Sequence, residues 1–177
     1  MKAYFNSKRI LFFTFIIALG ACKPAHEKLS DEIFKQEAVL YSDTNKSLNA
    51  EEANKVYSNY LKYVKAYPND TLSPDFLFKA ADLANGLKRH EESVNLFARL
   101  INEYPEFRKS PAALFMQAFV LETEIKDTEK AKEKYKEFLS KFPKHKLAPS
   151  AQASLDQLNA NLTDEELIKM FEEKNKK

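Results

Sequence analysis

The residues able to bind a metal or attack a substrate are few in this sequence and lie far apart. His26 precedes the first predicted helix, His90 lies between two predicted helices, and His145 follows Pro143. No second histidine or cysteine stands at metal-site spacing, and we find neither a nucleophile motif nor a glycine-rich phosphate loop. Adjacent acids such as Glu91 and Glu92 point about 100° apart on a helix, so they cannot converge on one substrate. We therefore expect a protein that is not an enzyme and has no cofactor or metal.

The single cysteine ends an N-terminal segment that is typical of a processing signal. Three basic residues precede the apolar run "ILFFTFIIAL" at residues 10–19, which is too short for the roughly 20 residues of a membrane-spanning helix. The run leads into "LGAC" at residues 19–22. Residues 1–21 resemble a bacterial lipoprotein signal peptide, and the resemblance implies cleavage before Cys22 and lipidation of its sulfur. The alternative is an ordinary secretory peptide with an incidental cysteine.

The composition favours a helical protein held together by packing. The 177 residues are 44% hydrophobic and 31% charged, with only two glycines. Sheet proteins need glycine in their tight turns, so this composition predicts helices. Removing three of the 28 lysines and arginines with the signal segment leaves 25 against 26 aspartates and glutamates, a net charge of −1. This balance does not indicate a nucleic-acid partner.

Prolines mark the elements that position the other residues. Three amphipathic stretches, "YLKYVKAYP", "FARLINEYP" and "YKEFLSKFP", end at prolines spaced 37 and 38 residues apart. Proline ends a helix because it lacks the N–H and disfavours the α conformation of the residue before it. A second set with the same spacing stands at predicted helix starts, where proline is tolerated. The closing prolines are Pro68, Pro105 and Pro143, and the opening prolines are Pro74, Pro111 and Pro149.

Aligning the units on these prolines reveals four columns in the second helix of each unit. Small, aromatic, large apolar and aromatic residues stand 12, 8, 5 and 1 positions before each closing proline. These spacings place them on one helical stripe, where the small residue lets a neighbouring helix approach. Such two-helix repeats are typical of a solenoid whose units bury their apolar faces by stacking. The columns are Val56, Ser93 and Ala131; Tyr60, Phe97 and Tyr135; Tyr63, Leu100 and Phe138; and Tyr67, Tyr104 and Phe142.

At these columns, and at Leu77, Ala81, Leu114 and Ala118 of the first helices, the sequence resembles the tetratricopeptide repeat (TPR) family. The resemblance covers roughly residues 53–158 and implies an all-α, right-handed helix-turn-helix solenoid of about three repeats. The unit is longer than the family's usual one, the first helix lacks an aromatic residue at its start, and Val56 occupies the first small position. These departures favour the longer bacterial envelope variety. The sequence is most similar to the small envelope TPR lipoproteins of the β-barrel assembly and Tol–Pal type.

We predict three further segments around the repeats at residues 50–158. Residues 22–28 are interpreted as the lipidated cysteine and a tether, and residues 29–49 as a helix capped by Ser30 and a loop. Within residues 159–177, Thr163 and Glu166 form a capping box for a last short helix. We expect this helix to cover the open end of the solenoid. The alternative is a helix that docks on a partner.

The resemblance also implies that the first helices line a concave face on which binding occurs. Two aromatic residues in one column, flanked by carboxylates, could hold an extended or helical peptide. The alternative is that Phe78 and Phe115 turn inward and belong to the core. The candidate groove residues are Asp75, Phe78, Asp82, Asn85, Phe115, Phe119 and Glu122.

We therefore expect a membrane-anchored module that binds a protein or peptide partner in cell-envelope assembly or maintenance. The absence of Asp directly after Cys22 favours the periplasmic side of the outer membrane under the enterobacterial sorting rule. Two alternatives stay open. One is a structural protein that self-associates or reaches the cell wall, and the other is an accessory subunit of a transport, secretion or adhesion machine.

Overall fold

The computed structural model describes residues 23–42 and 48–160, and within these ranges the chain is helical with no β-strand. Cys22, Thr163 and Glu166 lie outside the described residues. No helix in the described part combines the length and apolar character needed to cross a bilayer. The helices are α1 (Ala25–Leu40), α2 (Ala50–Ala66), α3 (Ser73–Gly86), α4 (His90–Glu103), α5 (Ser110–Val120) with a π-helical turn (Leu121–Ile125), α6 (Thr128–Lys141) and α7 (Ala148–Ala160).

Each helix packs mainly on its neighbours in chain order, which is the arrangement of a helical solenoid. Helices α2, α4 and α6 are the predicted second helices, and α3 and α5 are the first helices that open with proline. Helix α1 packs on α2 and completes the first of three pairs, while α7 follows the third pair. The prediction of an all-α solenoid of about three repeats is confirmed.

The proline-bracketed loops share one hydrogen-bond pattern. In the first loop, the Asp70 N–H donates to the Tyr67 carbonyl at 3.0 Å, and the Ser73 N–H donates to the Asp70 carbonyl at 3.1 Å. The loops before α5 and α7 repeat both bonds. The buried hydroxyl of Ser73 also donates to the Tyr67 carbonyl at 2.6 Å, and that of Ser110 donates to the Tyr104 carbonyl at 2.7 Å. The third loop has Ala148 at this position and lacks the hydroxyl.

The predicted columns form the core. The residues 12, 8 and 5 positions before each closing proline are all buried, and those one position before it are partly buried. Leu77, Ala81, Leu114 and Ala118 of the first helices are buried against them. Packing of these columns therefore accounts for the stacking of the pairs.

Helix α1 begins earlier than the sequence predicted. Ser30 is not its cap but lies buried within it, and its hydroxyl donates to the Glu27 carbonyl at 3.1 Å. The helix starts at Ala25 directly after Pro24, whose fixed φ is compatible with a helix start, so residues 25–28 are helical and not a tether. His26 is likewise in α1, with its ring centroid 5.8 Å from that of Tyr67.

The one-residue difference between the 37- and 38-residue spacings lies at the end of α5. The Leu121 carbonyl accepts from the Asp127 N–H six residues on, whereas the equivalent bond after α3 joins Ala84 and Arg89, five residues apart. The extra residue is taken up in the π-helical turn, as an inserted residue in a helix usually is. The second helix of this repeat therefore keeps its register.

Exchanging serine and alanine in the loops should change stability in opposite directions. Ser110→Ala removes a buried hydrogen bond, so we expect the free energy of unfolding to fall by about 1 kcal/mol. Ala148→Ser supplies the hydroxyl that the third loop lacks, so we expect a gain of about 0.5 kcal/mol. Urea unfolding followed by circular dichroism measures both. A fall in both variants would show that the hydroxyl does not stabilise these loops.

Candidate functional site

The exposed sides of α1, α3 and α5 lie next to one another, and we call this surface the first-helix face. Its continuity is shown by ion pairs between the helices: Lys79 of α3 reaches Glu37 of α1 at 2.9 Å, and Lys109, next to α5, reaches Asp75 of α3 at 2.6 Å. All seven predicted groove residues lie on α3, α5 or the π-helical turn, and each keeps some solvent exposure. Whether they bind a partner stays a prediction.

Four side chains form a chain of alternating charge across this face. Lys79 Nζ lies 2.9 Å from Glu37 Oε1 and 3.4 Å from Asp75 Oδ2, and Lys109 Nζ lies 2.6 Å from Asp75 Oδ1. The four side chains are only 16–31% exposed, so water screens them less than it screens surface pairs. Burial would raise the pKa of Asp75, but Lys109 and Lys79 outweigh it and hold that pKa below its usual value. These residues tie α1, α3 and α5 together.

Phe78 and Phe115 belong to both the core and the surface. Phe78 is partly buried, with its ring 5.6 Å from Phe97 and Lys109 Nζ 5.0 Å above it. Phe115 is also partly buried and meets Tyr135 at 5.8 Å. Each ring thus anchors a first helix on its second helix and leaves an edge on the first-helix face. Both side chains therefore contact the core and keep some exposure on the first-helix face. Whether this exposed part binds a partner stays a prediction.

Three aromatic side chains are exposed on this face. Tyr41 is 54% exposed, Phe34 is 43% exposed, and Phe119 is 38% exposed. Phe119 stacks on Phe115 with ring centroids 6.4 Å apart, and Phe34 lies with its centroid 5.7 Å from that of buried Phe76. Neighbouring exposed aromatic rings are characteristic of protein-binding surfaces.

The carboxylate of Asp82 lies on α3 between α1 and α5. Asp82 is exposed one turn after Phe78, and it shares a column with Phe119, 37 residues later. Desolvation raises the pKa of Tyr41, and the negative charge of Asp82 raises it further, so the two side chains interact electrostatically. Desolvation by the surrounding face raises the pKa of Asp82, and the charge of Lys109 only partly offsets this. Within the described ranges, Asp82 has neither a hydrogen bond nor an ion pair.

The remaining two predicted residues are engaged by neighbouring side chains. Asn85 Oδ1 lies 2.8 Å from His90 Nδ1. Glu122, in the π-helical turn, accepts a hydrogen bond from the buried Tyr135 hydroxyl at 2.6 Å. Tyr60 makes the corresponding 2.6 Å bond to Glu37 of α1. These two glutamates therefore satisfy buried hydroxyls of the core and contribute to the face mainly through their charge.

The sequence did not identify the part of the face that α1 and the lysines supply. Pro24 precedes α1 but stands 50 residues before Pro74, which does not match the 37- and 38-residue spacing, so α1 fell outside the repeat alignment. Its three contributing residues nevertheless share one helical stripe. Lys79 could have been found as the residue four positions after Asp75, where helical ion pairs form. No group of three or more candidate metal ligands occurs in the described part of the chain. The missed residues are Phe34, Glu37, Tyr41, Lys79 and Lys109.

Comparison with known proteins identifies the repeats. A tetratricopeptide repeat profile matches residues 75–106 and 112–145, which hold the pairs α3–α4 and α5–α6. Among solved structures, the chain is similar to a tetratricopeptide repeat protein from Parabacteroides merdae, with a TM-score of 0.50 and 15% identity. The likeness covers 77% of this chain and 60% of that chain, and it supports the fold alone. No curated protein matches the sequence.

The tyrosine–glutamate bonds predict a loss of stability at alkaline pH. Burial, and then the bonds to Glu37 and Glu122, raise the pKa values of Tyr60 and Tyr135 above the ordinary value in the folded state. The unfolded chain would release these protons near its ordinary pKa of about 10. Their contribution to stability is therefore complete below about pH 10 and declines above it.

A double Tyr60→Phe, Tyr135→Phe variant should flatten this decline, because it has no hydroxyl to titrate at either position. The measurement is urea unfolding at several pH values on both sides of about pH 10. Tyr67→Phe, which keeps both bonds, serves as the control and should retain the wild-type decline. An unchanged pH dependence in the double variant would contradict the assignment.

Proposed function

We propose that this chain, built on tetratricopeptide repeats, is a protein–protein interaction module that a lipid on Cys22 holds at the bacterial cell envelope and that binds a partner on its first-helix face. The observation that carries the proposal is the exposure of Phe34, Tyr41 and Phe119 together on that face. Tetratricopeptide repeats are typically non-catalytic scaffolds that bind proteins, in agreement with such a surface.

The distribution of exposed apolar residues favours the first-helix face over the opposite side. None of the large exposed apolar side chains of the described residues lies on α2, α4 or α6. The exposed positions of these second helices are polar or charged except Ala50 and Ala66. A partner that buries apolar area therefore finds it on the first helices, where aromatic anchors contribute most to binding.

The envelope location rests on the N-terminal segment. A basic start, an apolar run too short to span a bilayer and the "LGAC" that ends at the chain's single cysteine support lipidation of Cys22. Each buried CH₂ of an acyl chain contributes about 0.8 kcal/mol, so several chains would hold the protein firmly. The absence of Asp after Cys22 supports the periplasmic side of the outer membrane. Envelope assembly or maintenance is the process that the resemblance to β-barrel assembly and Tol–Pal proteins supports.

Photo-crosslinking in intact cells tests the face. A photoreactive phenylalanine analogue at Phe119 keeps an aromatic ring there, and we expect it to form adducts with another protein. The same analogue at Lys136, which is exposed on α6, should form few or none. Equal adducts at both positions would contradict the assignment of the face. Adducts that contain only a second copy of this chain would support self-association instead.

Replacement of Cys22 tests the anchor. We expect the wild-type protein to incorporate a clickable fatty acid and to sediment with membranes, because lipidation supplies the apolar anchor. Cys22→Ala should take up no label, while Lys23→Ala, which keeps the cysteine, should behave like wild type. A wild-type protein without label would contradict the proposed anchor.

A further inference from the structure

We propose that the first-helix face recognises a partner segment through a basic side chain, for which Asp82 is the paired carboxylate and Tyr41 and Phe119 are the neighbouring aromatic rings. The inference rests on the proposed function and specifies the chemistry of the partner: an arginine or lysine within an otherwise apolar or aromatic segment.

Three of the four carboxylates named on this face are paired with side chains of the same chain, and Asp82 is the fourth. Glu37 and Asp75 are held by lysines at 2.9 and 2.6 Å, and Glu122 accepts the Tyr135 hydroxyl at 2.6 Å. Asp82 alone among these four acids has no hydrogen bond or ion pair to any described residue. It is nevertheless desolvated enough by its surroundings to raise its pKa. An ionised group in such a place is stabilised by a cation that arrives from outside.

At two places on this face, a lysine lies beside both a carboxylate and an aromatic ring. Lys109 Nζ lies 2.6 Å from Asp75 and 5.0 Å above the Phe78 ring. Lys79 Nζ likewise lies 2.9 Å from Glu37 and 5.8 Å from the centre of an aromatic ring of α1, that of Phe34. Each is a carboxylate, an ammonium group and an aromatic ring together, an arrangement that combines ion pairing with cation–π attraction.

One turn farther along α3 a similar arrangement occurs, for which no described residue supplies the paired cation. Asp82 supplies the carboxylate, the exposed ring of Tyr41 follows α1, and that of Phe119 belongs to α5. Lys109, whose charge partly offsets the raised pKa of Asp82, is already held by Asp75 at 2.6 Å. A basic side chain of the partner would therefore complete a third set.

The charge of the face also excludes an acidic segment as the preferred partner. Among the described residues named above, it carries the four carboxylates of Glu37, Asp75, Asp82 and Glu122 against the two ammonium groups of Lys79 and Lys109. Both of these lysines are engaged, so neither is free to offset the repulsion that an acidic peptide would meet from the carboxylates.

Selection from a random peptide library displayed on phage tests the inference with purified protein. We expect peptides selected on the wild type to be enriched in arginine or lysine beside aromatic or aliphatic residues. Asp82→Asn should remove that enrichment. Glu133→Gln, the same change in charge at an exposed position on α6, should retain it. Selected peptides without a basic preference, or with the same preference on Asp82→Asn, would overturn this inference while leaving the proposed function intact.

The affinity of one selected peptide then locates the contact. Replacing its basic residue by Gln should weaken binding to the wild type about tenfold, as expected for an ion pair with cation–π support. The same replacement should have no effect with Asp82→Asn, because the pair is already lost. An equal effect on both proteins would overturn the inference. Failure to select any peptide would instead count against the proposed function and, with it, this inference.

Stability provides the control for folding. Because the raised pKa shows that folding disfavours the ionised Asp82 carboxylate, Asp82→Asn should unfold at an equal or higher urea concentration than the wild type at neutral pH. A lower concentration would show that Asp82 supports the fold, and it would overturn the assignment of Asp82 to binding.

Discussion

The structure depends on burying one aromatic side chain from each second helix against its first helix. Tyr60, Phe97 and Tyr135 are fully buried at equivalent positions of the three repeats, in a chain whose single cysteine rules out an internal disulfide. The bracketing prolines end each second helix at a fixed distance from this residue, so the ring enters the core at the same level in every repeat. The small residue one turn earlier allows the close approach that the packing requires.

Hydrogen bonds link two of these buried side chains to carboxylates on the first-helix face. The buried hydroxyls of Tyr60 and Tyr135 donate to Glu37 and Glu122, which the first helices supply. Phe97 in the middle repeat has no hydroxyl, so α3 need not provide an acid there. The carboxylates of α3 therefore do not accept a hydrogen bond from the residue in this column. Asp75 joins the ion pairs between helices, whereas Asp82 has no partner among the described residues.

Features that depend on spacing within one helix could be predicted from the sequence, whereas features that depend on packing between helices could not. The core columns could be predicted because spacing along one helix decides which residues share a stripe. Spacing also placed Phe78 and Phe115 in one column of the first helices, but how far a neighbouring helix covers them depends on packing. The 38-residue interval showed that one repeat is a residue longer than the other, but it did not show that the extra residue lies in the π-helical turn. The contact between Lys79 and Glu37 joins residues 42 positions apart, and it depends on where α1 lies, which the proline spacing did not indicate.

The early start of α1 links the proposed anchor to the proposed binding face. Only Lys23 and Pro24 separate Cys22 from the helix, a distance of at most about 11 Å between Cα atoms. Helix α1 has 16 residues and is therefore about 24 Å long, so Tyr41 at its end lies within about 35 Å of Cys22, the proposed site of lipidation. Because α1 is packed on α2 and joined to α3 by the ion pair of Glu37 and Lys79, the face moves together with α1 and is not separated from Cys22 by a long tether. Under the proposed lipidation of Cys22, a partner on the proposed binding face would therefore be held close to the membrane surface.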